Sequence, residues 1–195
     1  MLRRIAKIVA IVLILLGVAA FLLRDSRIAA QIRFAGNAHV PSVDADFSNL
    51  SEVVPAKTAS VVEVFPGLPH NFADSETFVQ ELWNSENQSI HGYRFYSEQL
   101  EFSDSFRKVI QDLFTDQRTF TPYGGPKLCG GYHADFATRL DDDGQQHWFL
   151  VCFGCHEILC FTKGAELISD LDSDAYKALL AAWKTEQAQS GRNGD

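Results

Sequence analysis

Apolar residues in the chain follow two different spacings, and each spacing predicts a different kind of element. In three segments they recur every three or four residues, which predicts amphipathic helices. One of these segments follows Ser103, one follows Asp172 or Ser173, and one follows Asp74 or Ser75, all of which are residue types that cap helix N-termini. The apolar stripes are Phe106, Val109, Ile110, Leu113 and Phe114; Tyr176, Leu179, Leu180 and Trp183; and Phe78, Val79, Leu82 and Trp83.

Other segments alternate apolar and polar residues or are rich in β-branched and aromatic residues, which predicts strands. One strand ends at Pro66-Gly67, one covers residues 91–102, and a hairpin turns at Asp141 to Gly144. A further short strand is expected over residues 158–161. Because strands and helices do not alternate as βαβ units, we predict an α+β fold: a single domain with a mainly antiparallel sheet and two to three packed helices.

An uninterrupted apolar run extends from Ile8 to Leu23 and is preceded by three basic residues. Counted from residue 5 it has 19 residues, which as a helix is just long enough to cross a hydrocarbon core of about 30 Å. The run continues past the small residues 18–20, where a signal peptide would be cleaved. We therefore favour a retained N-terminal transmembrane helix over the alternative, a protein secreted after signal cleavage.

The basic N-terminus is expected to stay in the cytoplasm, which places the globular part on the extracytoplasmic, periplasmic side of a membrane. Disulfides persist in such a compartment. We assign residues 1–24 to the membrane anchor, 25–58 to a juxtamembrane linker, 59–184 to the α+β domain and 185–195 to a polar tail.

Charge limits the partners that the domain can have. The chain has 17 basic and 25 acidic residues, and three of the basic ones lie in residues 1–23, so the remainder carries 14 against 25, a net charge of -11. This balance argues against nucleic acid and against adhesion to anionic lipid headgroups. The membrane is therefore contacted only through the N-terminal helix, and acidity alone identifies no protein partner.

Candidate chemistry is concentrated in four residues, Cys129, His133, Cys152 and Cys155. Their spacing, two ligand pairs separated by a hairpin, is close to that of structural zinc sites, in which a Cys3His set leaves no open position. In an oxidising compartment a disulfide, formed by Cys129 or within the Cys152/Cys155 pair, is favoured over zinc. A third alternative is that these cysteines, with Cys160, are buried packing residues.

The geometry of a strand sets a condition on any shared site. Residues three apart on a straight strand point to opposite faces, so Cys152 and Cys155 can meet only if the strand breaks between them. Gly154 is the position at which a bulge or a tight turn is expected.

The same run, Cys152-x-x-Cys155-His156, has the form of a covalent c-type haem motif. Haem is favoured less than a disulfide or zinc, because the motif lies in a strand-like apolar run and because Met1 is the only methionine, which excludes Met/His ligation. A reactive dithiol is the other redox alternative, although it usually needs a helix N-terminus, and none is predicted after Cys155.

Two weaker catalytic arrangements remain open. Asp135 and Glu157 would form an acid/base pair if the hairpin brought them together, but we interpret both as surface carboxylates. Nucleophilic catalysis by Cys155 with His133 or His156 is a second arrangement that the sequence leaves undecided.

Two segments, Pro122-Tyr-Gly-Gly-Pro-Lys-Leu-Cys-Gly-Gly-Tyr-His-Ala-Asp135 and Cys152-Phe-Gly-Cys-His-Glu157, carry a resemblance to known proteins. The chain resembles an uncharacterised family of bacterial secreted or membrane-anchored proteins that pair a Cys-Gly-Gly-aromatic-His segment with a Cys-Phe-x-Cys segment. The resemblance covers roughly residues 60–183 and implies that the two segments act together; it implies no reaction. We therefore expect a non-enzymatic, membrane-tethered extracytoplasmic domain with a structural Cys/His cluster, and keep the redox protein as the alternative.

Overall fold

A computed structural model describes residues 12–13, 16–18, 47–70, 73–127 and 132–189. Most of the predicted membrane anchor, most of the predicted linker and Cys129 lie outside these residues. No helix in the described ranges is both long enough and apolar enough to cross a membrane. The transmembrane prediction therefore stays a prediction.

The fold is α+β with a mainly antiparallel sheet, as predicted. The helices are α1 (Leu50–Val53, directly after a 3-10 turn at Phe47–Asn49), α2 (Ser75–Asn84), α3 (Asp104–Phe114) and α4 (Ser173–Gln189). The strands are β1 (Ser60–Pro66), β2 (Asn87–Ile90), β3 (Tyr93–Tyr96), β4 (Phe120–Pro122), β5 (Phe136–Asp142), β6 (Gln145–Cys152), β7 (Glu157–Phe161) and β8 (Glu166–Leu171).

The chain divides into two compact units. Among the described residues, the stretch from 69 to 85, which includes α2, belongs to one unit. The described residues of 47–68 and 86–189 belong to the other, which contains a six-stranded sheet in the order β1-β5-β6-β7-β8-β4 and the separate β2–β3 hairpin.

One face of the six-stranded sheet is covered by α3 and α4. Helix α3 buries Phe106, Ile110 and Phe114, and Trp183 of α4 stacks on Phe136 of β5 with 4.8 Å between ring centroids. Val53 and Val54 join this core, so the described end of the predicted linker packs with the domain. The core residues of the sheet alternate with residues on its second face, as the period of a strand requires.

The second face is covered by the β2–β3 hairpin. His91 at the hairpin turn stacks on Phe161 of β7, with 3.9 Å between ring centroids, and Gly67 bridges to Phe95 of β3. The sequence pattern predicted a strand over residues 91–102, and the structure confirms it only over Tyr93–Tyr96. The first two predicted residues, His91 and Gly92, are instead the turn between β2 and β3, where both have positive φ. Positive φ at both central positions is typical of the two-residue hairpin turn whose twist matches the strands.

The predicted β5–β6 hairpin is confirmed. Its turn residues, Asp143 and Gly144, have φ of 50° and 85°, and the N–H of Gly144 donates to Asp141 Oδ1 at 2.9 Å. Strands β5 and β6 remain in register from the pair Asp142 and Gln145 to the pair Phe136 and Val151. This regular pairing places the end of β6, and with it Cys152, beside the segment that precedes β5.

Candidate functional site: the Cys152–Cys155 turn and its polar surroundings

Strand β6 ends at Cys152, and β7 begins at Glu157, so the residues between them form a tight turn. The strand therefore breaks between the two cysteines, as a shared site requires. The residue with left-handed backbone conformation is His156, at φ 60°, rather than Gly154. A Cβ atom at Gly154 would meet nothing within 4 Å, so the turn does not depend on a glycine there.

Cys152 is a free thiol that is 2% exposed. Its sulfur accepts the backbone N–H of Cys155 at 3.2 Å and also the backbone N–H of His133. Burial raises the pKa of Cys152 to about 11, although both N–H donors act in the opposite direction. The thiol is therefore protonated at neutral pH, which makes it a poor nucleophile and a poor metal ligand as it stands.

Cys155 takes part in a disulfide. Because Cys152 and Cys160, the other two cysteines in the described ranges, carry free thiols, the partner of Cys155 is not among the described residues. A disulfide between Cys152 and Cys155, one of the predicted pairings, is thus wrong for this state. A sulfur in a disulfide also has no bond left for a haem vinyl group.

Cys160 lies on the helix-covered face and is fully buried in the main core. Burial alone raises the pKa of its thiol. This cysteine behaves as a small apolar residue, which is the packing alternative.

His133, the predicted histidine ligand, lies in the segment before β5. Its Nε2 is 2.7 Å from the backbone oxygen of Leu68, and its Nδ1 is 3.8 Å from Asp135 Oδ1. In this orientation the Nε2 atom faces a carbonyl and not the Cys152 sulfur, although the backbone of His133 contacts that sulfur. No group of three or more His, Cys, Asp or Glu side chains in the described part of the chain is arranged to hold a metal ion. Cys129, the fourth member of the predicted zinc set, lies outside the described residues.

His156, the axial ligand in the haem alternative, is exposed and stacks on Tyr176 of α4, with 3.8 Å between ring centroids. The hydroxyl of Tyr176 donates to the backbone oxygen of Phe153 at 3.2 Å. Both contacts hold the turn against α4. The structure therefore gives His156 a packing role on the protein surface.

The segment before β5 is bound to the end of β6. The N–H of Asp135 donates to the oxygen of Val151 at 2.7 Å, and Asp135 Oδ2 accepts the N–H of Phe153 at 2.6 Å. The hydroxyl of Tyr132 donates to the oxygen of Leu150. The pairing of the two segments, which the family resemblance implied, is therefore a contact between residues 132–135 and residues 150–153.

Glu157 is the residue that sequence reasoning misplaced most. It was interpreted as a surface carboxylate, yet it is 3% exposed, and its Oε1 has no hydrogen-bond partner within the described part of the chain. Strand pairing places it between Cys152 on β6 and Asp170 on β8. Burial raises the pKa of Glu157 to about 7; Lys127 lowers it and Asp170 raises it further.

Tyr93 and Tyr132 add two hydroxyl groups to this region, and neither was identified from the sequence. Their rings meet edge to face with 5.2 Å between centroids. The hydroxyl of Tyr93 is buried and, among the described residues, has no hydrogen-bond partner. Burial is the main cause that raises the pKa of Tyr93, and the nearby Cys152 and Glu157 raise it further. Cys152, Glu157 and Tyr93 thus form a buried group of titratable side chains whose pKa values are all raised. The Cys152 thiol and the Tyr93 hydroxyl keep their protons at neutral pH, and Glu157 titrates near pH 7.

Lys127 and Asp170 form an ion pair at the edge of this group. Lys127 Nζ is 2.9 Å from Asp170 Oδ2, and the N–H of Gly124 donates to the same oxygen at 3.1 Å. A cavity of about 550 Å³ lies next to the pair and extends to the turn; its lining residues are Thr121, Lys127, Gly154, Cys155, His156, Asp170 and Leu171. The sequence contained no signal for this pair, because its partners are 43 residues apart.

A larger open groove, of about 1090 Å³, lies at the opposite end of the sheet. It is bordered by the β5–β6 turn, the β7–β8 turn and α1, and it includes His91 and Trp148. Cys152, Cys155 and Cys160 do not line this groove, and nothing in the sequence pattern indicated it.

The fold and the site together define an α+β domain in which the turn between β6 and β7 carries a disulfide-bonded cysteine, Cys155, and β6 ends at a buried free one, Cys152. Comparisons of the chain with protein-family models, curated proteins and solved structures found no match.

Proposed function

We propose that this protein is a non-enzymatic, membrane-tethered extracytoplasmic domain that binds a protein partner of the cell envelope. In this proposal a disulfide between Cys129 and Cys155 ties the segment before β5 to the turn between β6 and β7. The observation that carries the proposal is the oxidised state of Cys155. Disulfides persist outside the cytoplasm, which agrees with an apolar N-terminal run that serves as an anchor.

Cys129 is proposed as the partner of Cys155 by elimination. The chain has four cysteines, and two of them, Cys152 and Cys160, are free thiols. The contacts between residues 132–135 and the end of β6 support the pairing, because they hold the chain close to the turn only three residues after Cys129.

The chemistry of the site supports a structural role over a catalytic one. A nucleophilic cysteine needs a thiolate, whereas burial keeps the Cys152 thiol protonated and Cys155 is in a disulfide. A general base must lie within hydrogen-bond reach of the group that it activates, and the imidazole of His133 contacts the Leu68 oxygen instead.

Thiol counting in the unfolded protein, combined with metal analysis, tests the disulfide. We expect two thiols, at Cys152 and Cys160, no bound zinc, and a linked peptide pair containing Cys129 and Cys155. Four thiols with one zinc would replace this proposal with the Cys3His site, and four thiols without metal would make all four cysteines packing residues. A Soret band after expression in a host that attaches haem would favour the haem alternative.

Topology and anchoring need a separate experiment. A reporter fused after Asp195 should be active outside the cytoplasm, and the protein should fractionate with membranes through residues 1–24. The matched control is the same fusion without residues 1–24, which should remain soluble in the cytoplasm. Cytoplasmic activity of the full-length fusion would contradict the location, and a mature N-terminus near Phe21 would show signal cleavage.

A further inference from the structure

We infer that Cys152 and Cys155 form a thiol–disulfide exchange site, in which the buried Cys152 displaces the present partner of Cys155 and closes an alternative disulfide across the turn. The inference rests on the proposed function in one respect only: the present partner is taken to be Cys129. The site itself is built from described residues.

The geometry of the turn brings the two sulfurs within reach of each other. Cys152 Sγ lies 3.2 Å from the backbone nitrogen of Cys155, and that nitrogen is only three covalent bonds from the sulfur of its own residue. Chains that reverse within four residues hold their end Cα atoms less than about 7 Å apart, and disulfides join Cα atoms at about 4.4 to 6.8 Å. Rotation of the cysteine side chains between staggered rotamers can therefore bring the sulfurs together.

The exchange balances without an external oxidant. The Cys152 thiolate attacks the sulfur of Cys155, and a new bond forms between these two sulfurs while the bond from Cys155 to its partner breaks. The electron pair of the broken bond leaves on the partner sulfur, which takes up the proton that Cys152 has lost. The number of thiols stays the same, and only the disulfide changes place.

Burial controls the rate of this step. Cys152 is buried, and burial opposes the formation of a negative charge on its sulfur. The nearby carboxylates of Asp135 and Glu157 oppose that charge further, whereas the N–H groups of His133 and Cys155 favour it. Lys127 offsets part of the charge on Glu157. The native disulfide is therefore protected while this region stays closed, and raising the pH or opening the region releases the exchange.

The variant Cys129→Ser tests the alternative disulfide directly. It retains Cys152, Cys155 and Cys160, and we would oxidise it with glutathione disulfide and map the peptides after acid quenching. We expect a Cys152–Cys155 link, one remaining thiol at Cys160 and no stable glutathione adduct. The matched control, Cys129→Ser with Cys152→Ser, should instead keep glutathione on Cys155. A stable adduct on Cys155 in the single variant, or three thiols that resist oxidation, would overturn the inference.

The wild-type protein provides a second test that does not depend on a variant. Below the pKa of Cys152 the rate should rise about tenfold for each pH unit, as the thiolate fraction does. Incubation at pH 9 should therefore produce the Cys152–Cys155 link about a hundredfold faster than at pH 7, with a thiol appearing at Cys129. Absence of that link at pH 9 in a protein mapped as Cys129–Cys155 would contradict the exchange, whereas four thiols at the outset would contradict only the proposed disulfide.

Discussion

Glu157 and Asp170 are paired in register on neighbouring strands β7 and β8, yet the two carboxyl groups have different environments. Asp170 accepts hydrogen bonds from Lys127 and from the N–H of Gly124. Glu157 is buried, and within the described residues its Oε1 has no partner. Burial disfavours the charged form of Glu157, and the nearby Asp170 carboxylate adds to this effect, so Glu157 keeps its proton to higher pH.

The first prediction concerns the pH dependence of stability that the protonation of Glu157 causes. The pKa of Glu157 is raised from 4.5 to about 7, so the folded state binds more protons than the unfolded state between those values. The stabilisation is complete below about pH 4.5 and is lost as the pH rises through 7, a total of about 3 kcal/mol. Glu157→Gln should remove this dependence and be more stable than the wild type at pH 8. Urea unfolding at pH 5 and pH 8 measures both effects.

Asp174→Asn is the control for Glu157→Gln, because the Asp174 side chain is 93% exposed. It should follow the wild-type pH profile closely. If Glu157→Gln kept the same pH slope as the wild type, the proton would have to be held by another group.

The second prediction concerns the disulfide. Cys129→Ser and Cys155→Ser should each lower the free energy of unfolding by about 2 to 5 kcal/mol, and the double variant should cost little more than either single change because both remove one bond. Cys160→Ala, which removes a buried thiol outside the bond, is the comparison. Equal and additive costs for Cys129 and Cys155 would show that the two residues are independent.

The third prediction concerns Gly67, at the junction of β1 and the segment before β5. A Cβ atom at this position would lie 1.9 Å from the backbone oxygen of Ala134. The backbone N–H of Gly67 also donates to the backbone oxygen of Asp135 at 2.8 Å, so the two segments cannot easily move apart. Gly67→Ala should therefore destabilise the fold by more than about 2 kcal/mol. It should also increase the accessibility of the Cys152 thiol to alkylation.

Gly164→Ala is the matched change for Gly67→Ala, because a Cβ atom at Gly164 meets nothing within 4 Å. Its free energy of unfolding should stay within about 0.5 kcal/mol of the wild-type value. Comparable destabilisation by both substitutions would mean that close packing at Ala134 is not the cause.

The fourth prediction tests how α4 holds the start of α3. Glu186 of α4 is buried and accepts both the N–H and the hydroxyl of Ser103, each at 2.7 Å. Ser103 in turn accepts the N–H of Phe106 as the N-cap of α3. Glu186→Ala should cost about 2 kcal/mol, and its effect should be less than additive with that of Ser103→Ala. Additive losses in a double-mutant cycle, measured by chemical denaturation, would contradict the coupling. The control is Lys184→Ala, on the exposed side of the same helix, which should leave the free energy of unfolding nearly unchanged.

The sequence by itself determined the elements whose signals are local. Ser103 caps α3 as predicted, Asp172 accepts N–H groups at the start of α4, and the turn at Asp143-Gly144 joins β5 and β6. In each case the residue types and their spacing act within a few residues of one another, so the pattern alone is sufficient.

Only the tertiary structure determined the strands without a local sequence pattern and the chemical state of the site. Strands β4 and β8 have no distinctive sequence pattern; β4 forms by pairing with β8, which also pairs with β7. Strand β2 was missed because its sequence is mostly polar, and only its pairing with β3 identifies it as a strand. The pairing state of the cysteines and the proton on Glu157 depend on burial and on neighbours from distant segments, which a linear pattern does not encode. Desolvation and long-range pairing are properties of the folded chain, so the chemical character of this site appears only once the strands are in place.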